Sequence, residues 1–221
     1  MIAALFSGGK DSTLAIHRMY DVGVKTDLLI TMVSENDFSY MFHKPNIKYS
    51  ELQAQALGIK QVLSNTLGEK EKELIDLERV LVANDVDVLI TGAVASTYQK
   101  ERIENICDRL SIKCHSPLWH IQPLVELKEL SCNYNVIVTQ IAAEGMDESM
   151  LGHRIDDEMI KRLEQIHERH GINMLFEGGE AESFVLDAPL FRKKIVVESA
   201  SVKSSGQVGQ YIIDKAVLAE K

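Results

Sequence analysis

Apolar residues in this chain come in two rhythms. Short, nearly unbroken runs such as Ile2-Ala3-Ala4-Leu5-Phe6 and Leu28-Leu29-Ile30-Thr31-Met32-Val33 alternate with longer stretches in which apolar positions recur every three or four residues. The runs predict strands near residues 2–6, 27–33, 60–64, 87–91 and 112–115, and the periodic stretches predict helices over about 12–22, 48–57, 69–84 and 98–110. In the third helix Leu74, Ile75, Leu77, Leu81 and Val82 repeat at helical spacing, while Glu69, Lys70, Glu71, Lys72 and Glu73 charge its first turns. Gly23 and Gly58 stand where the first two helices should stop. Strand–helix alternation of this kind implies an α/β fold, a doubly wound parallel sheet whose ligands bind beyond the carboxyl ends of the strands. Residues 7–12, 32–35 and 91–96 follow three such ends and are expected to meet in one crevice.

The rhythm changes after Ser116-Pro117-Leu118-Trp119. A short helix near 124–131, a strand at 136–141 and a helix over 156–170 with Met159, Ile160, Leu163 and Ile166 on one face are expected, the last ending at Gly171. The tail pairs 194–203 with 210–218 around Ser204-Ser205-Gly206, a hairpin whose turn reads as longer than the tight two-residue type. The expected organisation is a first domain over 1–120 and a smaller α+β domain over 121–221.

Composition narrows the function classes. With 221 residues and 45% hydrophobic content the chain can bury an ordinary core. It contains no apolar stretch of the roughly 18 residues a membrane helix needs, and its start lacks the charged segment of a secretory signal, so a cytoplasmic protein is expected. Cys107, Cys114 and Cys132 form no C-x-x-C pair and read as reduced thiols. A net charge of −9, from 24 Lys plus Arg against 33 Asp plus Glu, argues against a stable nucleic-acid partner. His167 and His170 lack an H-E-x-x-H frame and read as surface residues.

Candidate chemistry begins at Ser7-Gly8-Gly9-Lys10-Asp11-Ser12, a glycine turn between a buried strand and a helix. Adjacent glycines let the backbone approach an anion, and the helix start offers N–H groups and the positive dipole end; Lys10 adds a full charge. The spacing is neither G-x-x-x-x-G-K-[ST] nor G-x-G-x-x-G. Three further stretches are rich in polar residues and glycine: 40–46 with His43, 91–105 and 176–189. In the second, Tyr98, Arg102 and Asn105 fall at i, i+4 and i+7, so one helix face carries a ring, a guanidinium and an amide. In the third, Glu177, Glu180, Glu182 and Asp187 surround Gly178-Gly179; like charges so close are costly unless they face water or a cation.

The first of these segments resembles the PP-loop, SGGxDS, of the ATP pyrophosphatases. Together with YMFHKPN, ELQAQALGI, TGAVASTYQKERIENIC, SPLW, LGHRID and EGGEAESFVLDAPLF, it is similar to the diphthine–ammonia ligase family over most of the chain. The resemblance implies a HUP-type sheet and ATP-dependent amidation of diphthine on elongation factor two with ammonium, through an acyl-adenylate, releasing AMP and pyrophosphate. It implies nucleotide binding by Ser7, Gly8, Gly9, Lys10, Asp11, Ser12, Met32 and Gly92, with Mg²⁺ at Asp11. It also implies catalytic parts for Lys10, Asp11, Arg102, Glu177 and Glu180, and substrate contacts from His43, Tyr98, Gln99, Arg102, Glu104, Asn105, Glu177, Gly178, Gly179, Glu180 and Glu182. Elongation factor two and ammonium are the expected partners, no membrane is expected, and a homodimer is compatible. Ala181-Glu182-Ser183 departs from the family's more usual aromatic-Glu-Thr. Two other readings share the loop: a tRNA-modifying PP-loop enzyme, which the cysteine spacing and the charge disfavour, and a non-catalytic nucleotide sensor, which has little use for an acidic glycine turn.

Overall fold

Among the described residues, the five strands that precede residue 116 run parallel, as the alternation requires. The computed structural model describes residues 1–34, 46–67 and 72–221. In order along the chain stand β1 (Ile2–Leu5), α1 (Lys10–Asp21), β2 (Leu28–Ser34), α2 (Ser50–Leu57), β3 (Lys60–Thr66), α3 (Lys72–Ala83), β4 (Val88–Ile90), α4 (Thr97–Leu110) and β5 (Lys113–His115). The sheet order is β3-β2-β1-β4-β5. Successive residues of a strand face opposite sides, so the central strand is buried on both: Ala4 joins Leu14, Ile16, Leu29 and Ile90 on one face, while Ala3 joins Leu28, Ile30, Leu77, Leu89 and Ile106 on the other. Gly58 ends α2 at φ 69°, and Gly23, at φ 85°, follows α1 and donates to Tyr20.

The second half contributes α5 (Pro123–Asn133), β6 (Asn135–Ala142), α6 (Asp157–His170), β7 (Ala181–Asp187), β8 (Lys194–Ser205) and β9 (Val208–Ala219), with an antiparallel sheet in the order β7-β6-β9-β8. Asp156 starts α6 by accepting from the N–H groups of Glu158 and Met159, and Gly171 ends it at φ 70°. Two features depart from the sequence reading. The β8–β9 turn is tight: Ser205 pairs with Val208, leaving Gly206-Gln207 as the connection. Gly206, at φ 64°, supplies the positive dihedral a two-residue turn needs, and Lys203 to Ser205 stay extended because the partner strand holds them. Further, Ala181–Asp187 is a strand where the sequence read a polar turn. Its Phe184-Val185-Leu186 run is buried, and pairing with β6 overrides the glycines and acids just before it.

One hydrophobic core runs across both sheets. It includes Phe6, Leu14 and Leu57 from the first half and Leu118, Leu130, Val138, Leu163, Phe184 and Ile213 from the second. Each fully buried leucine contributes about 1.5–3 kcal/mol, so the two sheets are joined by much more than a linker. Among the described residues no helix is long and apolar enough to cross a membrane.

His17 is a polar rivet in that joint. It is 5% exposed, its ring meets Tyr134 edge-on at 5.1 Å, its Nδ1 donates to the Thr13 carbonyl (2.8 Å) and its Nε2 accepts from Leu190 N–H (3.1 Å). Both bonds together require the neutral ring. Burial depresses the His17 pKa below the ordinary histidine value, against the pull of the Thr13 carbonyl. Its contribution is therefore fully present above about pH 6.5 and lost as the pH falls from there through the depressed folded value. In thermal denaturation the stability gap between wild type and His17→Gln is expected to be largest above pH 7 and to narrow toward pH 5. A gap that does not vary with pH rules this account out.

Candidate functional site

The glycine turn between β1 and α1 is held from three sides. Gly8 lies at φ 79°, a conformation that favours glycine, and a Cβ there would meet the Gln53 amide oxygen at 2.2 Å. The Gly8 carbonyl accepts from Gln53 Nε2 (2.8 Å) and from Val185 N–H (3.1 Å), and Gln53 Nε2 also donates to the Val185 carbonyl (2.7 Å). Gln53 is wholly buried, so α2, the loop and β7 are tied through one amide. On the far side of the turn the Lys10 backbone N–H donates to Ser183 Oγ at 3.1 Å. Ser12 Oγ donates to the Gly9 carbonyl and accepts from Ser7 N–H (3.1 and 3.3 Å). Gly9, the residue before α1, makes no side-chain cap, so the N–H groups of the first turn and the positive dipole end lie at the loop.

Lys10 is placed differently from the sequence expectation. Its side chain turns inward: it is 1% exposed, and its ammonium pairs with the carboxylates of Asp11 and Glu126, the latter at 3.2 Å, beneath the Phe176 ring at 5.5 Å. What faces the crevice beside the loop is Asp11, whose side chain is 27% exposed. Burial works against the Lys10 charge, but the Asp11 and Glu126 carboxylates outweigh it and hold the ammonium well above the ordinary lysine value. Glu126, on α5, is 0% exposed; burial pushes its carboxyl up, and Lys10 holds it back. Phe176 sits at φ 68°, a region costly for an aromatic residue, and this places its ring over the ammonium.

The crevice wall is built by Gly92 and the acidic turn. A Cβ at Gly92 would lie 2.8 Å from the Asp11 carbonyl carbon and from Ser12 N, so the end of β4 touches the first turn of α1 backbone to backbone. Glu177 Oε2 accepts from the N–H groups of Ala95 and Ser96 (2.9 and 3.0 Å), which closes the acidic turn onto the start of α4. Both oxygens of Glu180 accept backbone N–H groups, from Asn173 and Gly178, each at 2.8 Å. Asp187 pairs with Lys221 at 2.8 Å. The cluster that looked costly in sequence is thus carried largely by peptide donors and one lysine. In this structure Glu177 and Glu180 shape the turn.

The other predicted residues divide. The loop, Gly92 and the 177–180 turn come together; Met32 is buried on β2. On α4 the Arg102 guanidinium lies 3.5 Å over the Tyr98 ring, Gln99 donates its N–H to Ser96 Oγ at the helix start, and Glu104 pairs with Lys100 at 2.5 Å. Asn105 is exposed beyond the second turn of that helix. Glu182 is half-buried on β7. His43 lies outside the described residues. Glu126 is not singled out by the sequence reading, and Gln53 and Ser183, though inside the segments ELQAQALGI and EGGEAESFVLDAPLF, are given no role; each reaches the loop from a distant segment. Nothing in local spacing marks them. Among the described residues no group of three or more His, Cys, Asp or Glu is arranged to hold a metal ion.

Residues 1–114 match the diphthamide synthase N-terminal domain family and residues 122–219 the diphthamide synthase C-terminal domain family. A diphthine–ammonia ligase from Homo sapiens is 31% identical over 225 residues, covering 91% of this chain and 84% of the relative. One from Schizosaccharomyces pombe is 32% identical over 243 residues, covering 100% of this chain and 40% of the relative. A solved structure from Methanocaldococcus jannaschii, described as a predicted subunit of tRNA methyltransferase, is 18% identical with a TM-score of 0.45, covering 85% of this chain and 97% of that one.

Proposed function

Because this chain belongs to the diphthamide synthase family, we propose that it is a diphthine–ammonia ligase, which amidates diphthine with ammonium at the expense of ATP. The observation that carries the reading is the joint between the two sheets. β7, from the sheet with the acidic turn, runs along the phosphate-type loop and bonds to it at Gly8 and Lys10. A nucleotide and an acceptor carboxylate brought to these two elements share one crevice.

A carboxylate is a poor acyl donor; its attack on the α-phosphorus of ATP expels pyrophosphate and gives an acyl-adenylate, and ammonia, formed when ammonium gives up a proton, then attacks the acyl carbon so that AMP leaves. Ser7 to Ser12 fit an anion: Gly8 supplies the tight turn and the uncapped start of α1 supplies donors, which preorganised stabilise charge on the departing pyrophosphate. Met32 and Gly92 flank the nucleotide. Mg²⁺ fits as a partner of the phosphates, since it commonly takes one or two carboxylates plus substrate oxygens, and Asp11 offers a partly exposed carboxylate beside the loop. When bound, the ion would supply charge neutralisation on the phosphates. Tyr98, Gln99, Arg102, Glu104 and Asn105 on α4, the Glu177, Gly178, Gly179 and Glu180 turn, Glu182 on β7 and, as a contact expected from sequence alone, His43 are assigned to the acceptor, where ammonium and the trimethylammonium group of diphthine are received. In this reading Arg102 supplies the positive charge that holds a carboxylate. Residues 1–120 act as the ATP-binding unit and 121–221 as the substrate-binding unit. Elongation factor two is the carrier of diphthine, the reaction is cytoplasmic, and a homodimer is compatible with it.

The test is mass spectrometry of diphthine-bearing elongation factor two after incubation with the protein, Mg-ATP and ammonium, with AMP and ADP quantified in the same tube. Ammonium-dependent replacement of hydroxyl by amino, matched by AMP, is the expected result. ATP binding with no change in the factor would remove diphthine as the substrate and keep the loop assignment.

A further inference from the structure

We propose that Glu126 is a positioning residue for the phosphate loop: through the Lys10 ammonium it fixes the Asp11 carboxylate and the first turn of α1. The inference rests on the reading of the loop as the ATP site. Glu126 lies in α5, whose neighbouring turns Leu127 and Leu130 are both 0% exposed core residues. A carboxylate among them costs several kcal/mol of desolvation, and apolar replacements of such groups are often tolerated or stabilising in other folds. Packing alone therefore gives no reason for it. Its Oε1 lies 3.2 Å from Lys10 Nζ, and its Oε2 is buried with no donor against it among the described residues.

Lys10 connects this carboxylate to the crevice. An ammonium has three N–H donors; here one goes to Glu126 and one to Asp11, and the Phe176 ring covers it. The chain of contacts runs from a rigid, wholly buried anchor, through a cation that cannot wander because it is 1% exposed, to a carboxylate that is 27% exposed. Asp11 alone could adopt several rotamers at a loop. With one oxygen held by Lys10 and the Glu126 carboxyl close beside it, Asp11 is confined to fewer rotamers, as outer partners confine the ligands of a metal site. The anchor comes from α5, after the sheet crossover, so the loop is also braced by the second half of the chain, in parallel with Ser183 and Val185.

The experiment compares wild type with Glu126→Gln and Glu126→Leu in the full chain. Gln keeps an oxygen for Lys10 and the shape of the side chain; Leu keeps only the shape. Binding of a non-hydrolysable ATP analogue is measured by calorimetry across a Mg²⁺ series, with thermal melts and amide exchange of residues 8–13 on the same samples. The Mg²⁺ concentration that half-saturates nucleotide binding is expected to rise at least about tenfold in Glu126→Leu, with Glu126→Gln much closer to wild type and exchange in the loop following the same order. A side chain that only fills space would make Leu equal to or better than Gln. That ranking, unchanged Mg²⁺ dependence in both variants, or wild-type binding indifferent to Mg²⁺ overturns the proposal. If Leu fails to fold, Gln decides: a Mg²⁺ dependence and loop exchange identical to wild type overturn it. Should wild type bind no nucleotide, the ATP reading falls by itself, and loop exchange that is the same in all three proteins overturns the positioning role separately.

Discussion

Lys10→Ala is expected to cost the fold about 3–5 kcal/mol, the loss usual when one partner of a buried charge pair is removed. The variant leaves Glu126, 0% exposed, without its cation. Its carboxyl, already pushed up by burial, would rise further, so the folded state binds a proton that the unfolded state releases. The contribution of this one carboxyl is then most favourable below about pH 4.3 and is lost as the pH rises toward the raised folded value. In wild type the same carboxyl is pushed up to about 8, so the deficit of the variant should widen above that pH and be larger at pH 9 than at pH 7. Lys10→Met combined with Glu126→Leu removes both charges and should recover most of the stability. AMP formation should stay absent in both the single and the double variant, because Asp11 has lost its partner in each. Chemical denaturation of the three proteins at the two pH values, with AMP release measured alongside, tests this directly. A Lys10→Ala protein as stable as wild type would show that the buried pair contributes nothing, and a double variant with full activity would remove Lys10 from the site.

Gly92→Ala is expected to lower AMP formation about a hundredfold, the scale of an ångström misplacement at a reacting centre. The added Cβ would lie 2.8 Å from the Asp11 carbonyl carbon and from Ser12 N. Those are backbone atoms of a helix start and cannot swing away as a side chain tip would. Either β4 or the first turn of α1 must shift, and α1 is held at Gly8 by Gln53 and Val185 and at Lys10 by Ser183. Strain spread over that joint should also cost about 1–3 kcal/mol of stability. Initial rates and thermal melts of the one variant separate the two effects. Activity within a few fold of wild type would mean the loop tolerates the push and its position is not critical.

The regular elements of the first half were legible because their causes are local. The burial of Ala3 and Ala4 on opposite faces of β1, the helical repeat that buries Leu77 and Leu81 in α3 while leaving Ile75 and Val82 exposed, and the glycines at 23 and 58 all act within a few residues of where they stand. The anion-binding shape of the loop is local for the same reason: it follows from two glycines between a strand and a helix. Where the sequence misled, a distant partner had decided the outcome. Ala181–Asp187 carries acids and follows a double glycine, and only β6 beside it makes it a strand. The Glu177 to Glu180 cluster reads as self-repelling until Ala95, Ser96, Asn173 and Gly178 are seen to donate to it.

The helix α5 shows the limit most clearly. Leu124 and Val125 are exposed at 39% and 55%, while Glu126 beside them is wholly buried, an inversion that no local hydrophobic pattern contains. The sequence by itself determined the α/β alternation, the phosphate-type turn and the family resemblance, since each depends on residues adjacent in the chain. Only the tertiary structure decided that Lys10 turns inward, that Glu126 receives it across 116 positions, and that Ser183, Val185 and Gln53 clamp the loop. The physical reason is that burying a charge is unfavourable unless a partner of opposite sign is already there, and that partner is supplied by the packing of the two sheets around one core.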